Sequence, residues 1–223
     1  MRAVDRPVII VPRIYADSLI KSNDQHSLSY LQDLTTALSP DIVIVYCGND
    51  VVAQQIGGDA SGHIADSRVV IWDNFYANDY CPRRLFIGPW RRPLGASNVL
   101  LNPTGMIETD KLLLQLMQIG DDVDKWRAFL GPHLPPAFFT LAYYFDAPFG
   151  FAPKFTPPPA EMALDAVDQL LWQWKSPLQR EWYPVLMGLK QDLLIADRHL
   201  PDERIIKTQT APLSGAIVKL NVD

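Results

Sequence analysis

The sequence predicts an α/β fold with a parallel sheet in its first half and an all-helical second half. Three observations lead there. Short apolar, β-branched runs alternate with helix-spaced segments through the first 119 residues. Continuous apolar strands separated by helices indicate parallel strands covered on both faces. Each run ends in polar or aromatic residues, where such folds place ligands. A proline tract, Pro157-Pro158-Pro159, then gives way to two long helix-periodic stretches.

Val8 to Ile14 is β-branched and reads as the first strand. Ser27 to Leu38 carries Leu28, Leu31, Leu34 and Leu38 at helix spacing. Ser39-Pro40-Asp41 stops that helix, and Ile42 to Tyr46 is the second strand. Val51 to Ile56 reads as a short helix, and Arg68 to Trp72 as the third strand. Val99-Leu100-Leu101 is the fourth, and Ile107 to Gln118 is a helix with a leucine-rich face. The strand ends bear Tyr15 and Asp17, then Tyr46 and Asn49, then Asn74 and Asp79, then Asn102.

Residues 1–119 are therefore expected to form the strand-bearing region and 120–159 a Pro/Phe-rich linker with one helix near Pro135 to Tyr144. Residues 160–223 should form a helical hairpin and a tail, the tail after Ile205 carrying no assignment. Leu164, Val167, Leu171 and Trp174 line one helix, and Pro184 and Gly188 are expected to disturb the other. Trp172, Trp174 and Trp182 read as core or groove wall.

The net charge is −5, without a long charge run, which argues against nucleic-acid or membrane-surface partners. Cys47 and Cys81 form no disulfide framework and no metal motif, so a reduced cytoplasmic setting is expected. The apolar run Val8 to Val11 is too short for a signal peptide and nothing reads as a membrane span. The four histidines lie far apart, Gly57-Gly58 lacks the Lys-Ser/Thr of a phosphate loop, and no cofactor or metal is expected.

The densest chemistry is Trp72-Asp73-Asn74-Phe75-Tyr76-Ala77-Asn78-Asp79-Tyr80. Two amides, two carboxylates and four aromatics suit a small, polar, partly flat ligand such as a sugar. An Asx-rich turn capping a helix is the other reading of the same residues. Arg83, Arg84, Arg91 and Arg92 surround Trp90, a small basic group that could meet a polyanion.

Trp72-Asp73-Asn74, Ala77-Asn78-Asp79-Tyr80 and Arg84-Leu85-Phe86-Ile87-Gly88-Pro89 together resemble the core signature of glycoside hydrolase family 84. This is the O-GlcNAcase and bacterial β-N-acetylglucosaminidase family, often labelled hyaluronidase in bacteria. Val11-Pro12-Arg13-Ile14-Tyr15, the Leu38 to Gly48 step and Leu100-Leu101-Asn102-Pro103 extend the likeness over roughly residues 6 to 118. The resemblance implies the C-terminal half of a (β/α)8 TIM-type barrel. It also implies a retaining, substrate-assisted mechanism, in which the sugar's own acetamido oxygen attacks the anomeric carbon. An adjacent Asp pair orients that group and supplies the general acid and base, and proximity separates the two pKa values.

By the resemblance, Asp79 accepts hydrogen bonds from distal sugar hydroxyls and Asn74 meets the acetamido region. Tyr15 and Trp72 line the acetamido pocket, and Asn102 reaches the sugar from the last strand. The family's Asp pair precedes the tyrosine strand, which here begins at residue 8, so no catalytic residue is assigned. Asp121-Asp122 lies at the wrong place and reads as helix-capping acids. The chain alone is expected to be inactive, as the sugar-binding part of an N-acetylglucosaminidase acting on N-acetylglucosamine-containing glycans or glycoproteins. A missing N-terminal half-barrel or a second copy would complete it. A non-catalytic N-acetylglucosamine-binding protein, or a truncated remnant, remains the alternative.

Overall fold

The computed structural model describes residues 8–20, 25–55, 68–81, 83–91, 98–148 and 150–196. They fall into two compact units, one of residues 1–74 with 92–102, the other of residues 75–91 with 103–223.

The first unit is built on a four-stranded sheet in the order β1-β2-β3-β4. Its strands are β1 (Ile9–Ile10), β2 (Val43–Tyr46), β3 (Val69–Asp73) and β4 (Val99–Leu101). All three pairings are parallel, with Ile10 opposite Ile44, Tyr46 opposite Ile71 and Trp72 opposite Leu100. Helix α1 (Gln25–Ala37) joins β1 to β2, and its Leu31 packs with Ile14, Ile44 and Tyr46 in the core. The parallel α/β reading therefore holds, and among the described residues the sheet has four strands, consistent with part of a barrel.

The first strand is shorter than the β-branched run suggests. Only Ile9 and Ile10 are extended in register, because Arg13 and Ile14 leave the ladder. Arg13 instead donates its N–H to the Tyr30 hydroxyl at 3.0 Å. Val8, Ile9 and Val11 are exposed along this edge. The helix expected at Val51 to Ile56 is a turn over its described residues. Asn49 clamps it: its N–H reaches the Gln55 carbonyl at 3.0 Å, and its Oδ1 accepts from the Gln55 N–H at 3.2 Å. Asp50 accepts from the Val51 N–H at 2.7 Å. Such side-chain bonds offer the backbone a local alternative to a helix. Gly48, at φ 121°, permits the tight approach, since a Cβ there would collide with the Gln55 carbonyl.

The second unit is helical: α2 (Ile107–Ile119), α3 (Val123–Leu130), α4 (Pro136–Thr140), α5 (Ala160–Asp168) and α6 (Pro177–Ala196). A π-helical turn, Gln169–Gln173, ends α5. Residues 120–159 hold α3, α4 and a 3-10 turn, Ala142–Phe145, whose Trp126, Phe138 and Phe145 are fully enclosed. Trp126, Phe138, Phe145 and Trp182 form an aromatic core with ring centroids 5.4 to 6.1 Å apart. Both buried indoles find acceptors, Trp126 at the Ile87 carbonyl (2.7 Å) and Trp182 at Thr109 Oγ1 (2.8 Å). Trp172 stands exposed on the π-turn, which leaves only the groove-wall half of the core-or-groove-wall expectation for it. Helix α6 runs unbroken through Pro184 and Gly188. No described helix is long and apolar enough to cross a membrane. The tail after Ile205 lies outside the described residues.

Candidate functional site

The carboxyl ends of β2, β3 and β4 are tied together by one side chain. Asn74, buried just after β3, accepts two hydrogen bonds on Oδ1, from the Trp72 indole N–H and from Asn102 Nδ2, both at 2.9 Å. Its Nδ2 donates to the Val51 carbonyl at 2.6 Å and to Cys47 Sγ at 3.5 Å. An indole N–H only donates and a carbonyl only accepts, so these partners fix which way the amide faces. Both lone pairs and both N–H groups of Asn74 are engaged. The resemblance sets Asn74 against an acetamido group. Its amide reaches a ligand only by exchanging one of these bonds, whereas Trp72 and Asn102 are half-buried and held in place by it.

Asn102 is further fixed by its backbone N–H, which donates to the Asp73 carbonyl at 2.8 Å and continues the β3–β4 ladder. Tyr15 lies against the end of β2, its carbonyl accepting from the Cys47 N–H at 2.6 Å. Its ring is half-buried. Next to it, the Tyr46 hydroxyl donates to the Asp17 carboxylate. Burial, and then that carboxylate, raise the Tyr46 phenol well above the usual tyrosine range, so it stays a donor. Burial pushes the Cys47 thiol up to about 12, the neighbouring Asp73 and Asp50 adding to it and the Asn74 hydrogen bond opposing it. Cys47 is thus a packing residue and weak acceptor rather than a nucleophile. Among the described residues, no group of His, Cys, Asp or Glu is placed to hold a metal ion.

Tyr15, Trp72, Asn74 and Asn102 therefore share the strand ends of the first unit. Asp79 belongs to the second unit, where it is exposed and its Oδ1 accepts from the Tyr80 N–H at 3.0 Å. Asp121-Asp122 is engaged in a helix cap and an ion pair. Asp122 caps α3 by accepting from the Asp124 and Lys125 N–H groups, both at 3.0 Å, and those bonds hold its carboxyl below the usual range. Asp121 pairs with Lys154 at 3.1 Å. The basic group around Trp90 is turned inward: Arg83 and Arg84 pair with Asp192, and Arg91 with Asp146 at 2.7 Å. Arg92 lies outside the described residues. The supports that sequence reading missed are Cys47 and the Val51 carbonyl. A backbone acceptor leaves no signature in side-chain identity.

The first unit is thus a parallel α/β sheet with an amide and aromatic cluster on its carboxyl ends. Residues 2–112 match the sequence profile of the beta-N-acetylglucosaminidase family, and over this half of its length the chain belongs to that family. Mouse Protein O-GlcNAcase is 31% identical over 86 residues, 37% of this chain and 9% of the mouse protein. The rat Protein O-GlcNAcase is 35% identical over 65 residues, 28% of this chain and 7% of the rat protein. The matched stretches span less than a tenth of these relatives.

Proposed function

We propose that this chain supplies the sugar-holding side of a retaining, substrate-assisted β-N-acetylglucosaminidase of the O-GlcNAcase type, built on a (β/α)8 barrel. The observation that carries the reading is the Asn74 hub at the strand ends, within a segment that belongs to the family. The Trp72 face gives the acetamido methyl an apolar wall, and Tyr15 borders the same pocket. The Asn102 amide offers a donor and an acceptor to the sugar. Asp79 accepts paired distal hydroxyls, for which a carboxylate is suited by its two charge-assisted acceptor oxygens. Asn74 acts through Trp72 and Asn102. The ligand is an N-acetylglucosamine-containing glycan or glycoprotein.

The acid and base of this mechanism are two adjacent aspartates, and the one Asp-Asp of this sequence, Asp121-Asp122, is occupied in capping and ion pairing. The proposed carboxylate pair therefore comes from outside this chain, and the chain by itself binds without hydrolysing.

Titration with N-acetylglucosamine, followed by amide and indole NMR shifts, tests the binding half. The expected result is saturable shifts at Trp72 and Asn102, with weaker affinity in Asp79→Asn. A flat titration would overturn the sugar reading. Turnover of a fluorogenic N-acetyl-β-glucosaminide by the purified chain would overturn the assignment of the acid and base elsewhere.

A further inference from the structure

The residue proposed to meet the distal hydroxyls is carried by a segment that folds with the helices, since residues 75–91 belong to the helical unit. Asp79 begins a run of tight turns: the Cys81 N–H donates to the Asn78 carbonyl at 3.0 Å and the Arg84 N–H to the Cys81 carbonyl at 2.8 Å. The Tyr80 ring stacks on Phe86. These contacts join the Asp79 turn to the segment that carries Arg83 and Arg84.

Both arginines end on α6. Arg83 Nη2 donates to the Gly188 carbonyl (3.3 Å), Gln191 Oε1 (3.5 Å) and Asp192 Oδ1 (3.2 Å). Arg84 Nη2 lies 3.6 Å from Asp192 Oδ2, and both of these side chains are almost wholly buried. The Arg83 guanidinium lies against Gly188, in ordinary contact with where a Cβ would stand. Further along, Leu85, Phe86 and Ile87 are buried, and the Ile87 N–H donates to the Phe145 carbonyl at 2.8 Å.

A buried ionic cluster is a poor way to gain stability. Desolvation of the charges offsets their attraction, and well-packed apolar residues of like volume often serve as well or better. What such a cluster adds is registry: two guanidinium groups and one carboxylate fit in few arrangements. Here it fixes how Arg83 and Arg84 lie on α6.

We propose that Asp192 is a positioning residue for Asp79, holding the segment that follows it on α6 through Arg83 and Arg84, so that sugar affinity depends on Asp192. This rests on the reading that Asp79 meets the sugar.

Hydrogen exchange by mass spectrometry and N-acetylglucosamine titration of Asp192→Asn, Arg83→Gln and Asp79→Asn test it. Arg83 is partly exposed, so Arg83→Gln keeps the test alive if the Asp192 variant does not fold. The expected result is exchange at least tenfold faster across residues 79–91, with β2, β3 and α5 unchanged. Affinity should fall roughly tenfold or more, as small misplacements of a binding group are costly. The double variant Asp79→Asn/Asp192→Asn should bind no worse than Asp79→Asn alone. Unchanged exchange in Arg83→Gln, or faster exchange with wild-type affinity, overturns the positioning role while leaving the sugar reading intact. A wild-type chain that binds no N-acetylglucosamine overturns both.

Discussion

Replacing Asn74 with alanine deletes the hub of the strand-end cluster, and its cost can be worked from the bonds lost. Three of them are well-formed N–H···O bonds, to Trp72, Asn102 and the Val51 carbonyl, at 2.6 to 2.9 Å. At about 1 kcal/mol each, they total about 3 kcal/mol. The fourth, to Cys47 Sγ at 3.5 Å, adds little. Water can reach the half-buried Trp72 and Asn102 and recover part of this, while the cavity left by a buried side chain adds some back. A loss of about 2–4 kcal/mol is expected. Asn102→Ala removes one bond of a half-buried group and should cost about 1 kcal/mol. Asn74→Asp is a sharper test. It keeps the shape but sets a carboxylate oxygen where Nδ2 now donates to the Val51 carbonyl, and two acceptors then face each other. It should be at least as damaging as alanine. With two compact units in the chain, the assay must report on the first alone. Native-state hydrogen exchange of β3 and β4 amides in urea does so, alongside the Trp72 indole resonance. If Asn74→Ala costs less than Asn102→Ala, or Asn74→Asp is neutral, the hub is not what fixes the strand ends.

Burial and the Asp17 hydrogen bond raise the Tyr46 phenol, so its contribution to folding is complete below the ordinary tyrosine pKa of about 10 and is lost as pH climbs beyond it. Tyr46→Phe should flatten the alkaline fall in stability, measured by urea unfolding between about pH 9 and 11; an unaltered slope would refute this. With its thiol pushed up to about 12, Cys47 should react with iodoacetamide at pH 8 about a thousandfold more slowly than in urea, read by mass spectrometry. Native labelling at the unfolded rate would contradict its burial. Gly88→Ala would drive a Cβ to within 2.7 Å of Asp146 Oδ1 and closer still to its carbonyl, costing about 3 kcal/mol in the helical unit. Thermal unfolding followed by near-UV circular dichroism would detect the loss, and a wild-type transition would speak against the close packing.

The parallel sheet was legible because buried strands leave continuous β-branched runs, and Val43–Tyr46 and Val69–Asp73 stand close to where those runs lie. The Asp122 cap was legible for the same local reason, since a cap is written within three residues of its helix. Contacts remote in sequence were not. That Arg83 and Arg84 meet a carboxylate more than a hundred residues on, at Asp192, leaves no trace in either neighbourhood. Leu85, Phe86 and Ile87 read as part of a signature, and nothing local tells that Ile87 holds Phe145 and Trp126. The Val51 turn failed as a helix because Asn49 and Asp50 capture its backbone, a competition that periodicity does not register.

The passage of the chain out of the sheet-bearing unit at Phe75 and back into it before β4 governs how this protein can be cut. The sheet-bearing unit is discontinuous, and the helical unit includes a piece of the segment between β3 and β4. A fragment ending near residue 119 would retain Leu85, Phe86 and Ile87 but shed Phe145 and Trp126, which bond to Ile87, leaving three apolar side chains uncovered. Such a fragment is expected to precipitate or recruit other apolar surfaces. Dissection therefore works only if the helices are kept, or if residues 75–91 are replaced by a short polar bridge.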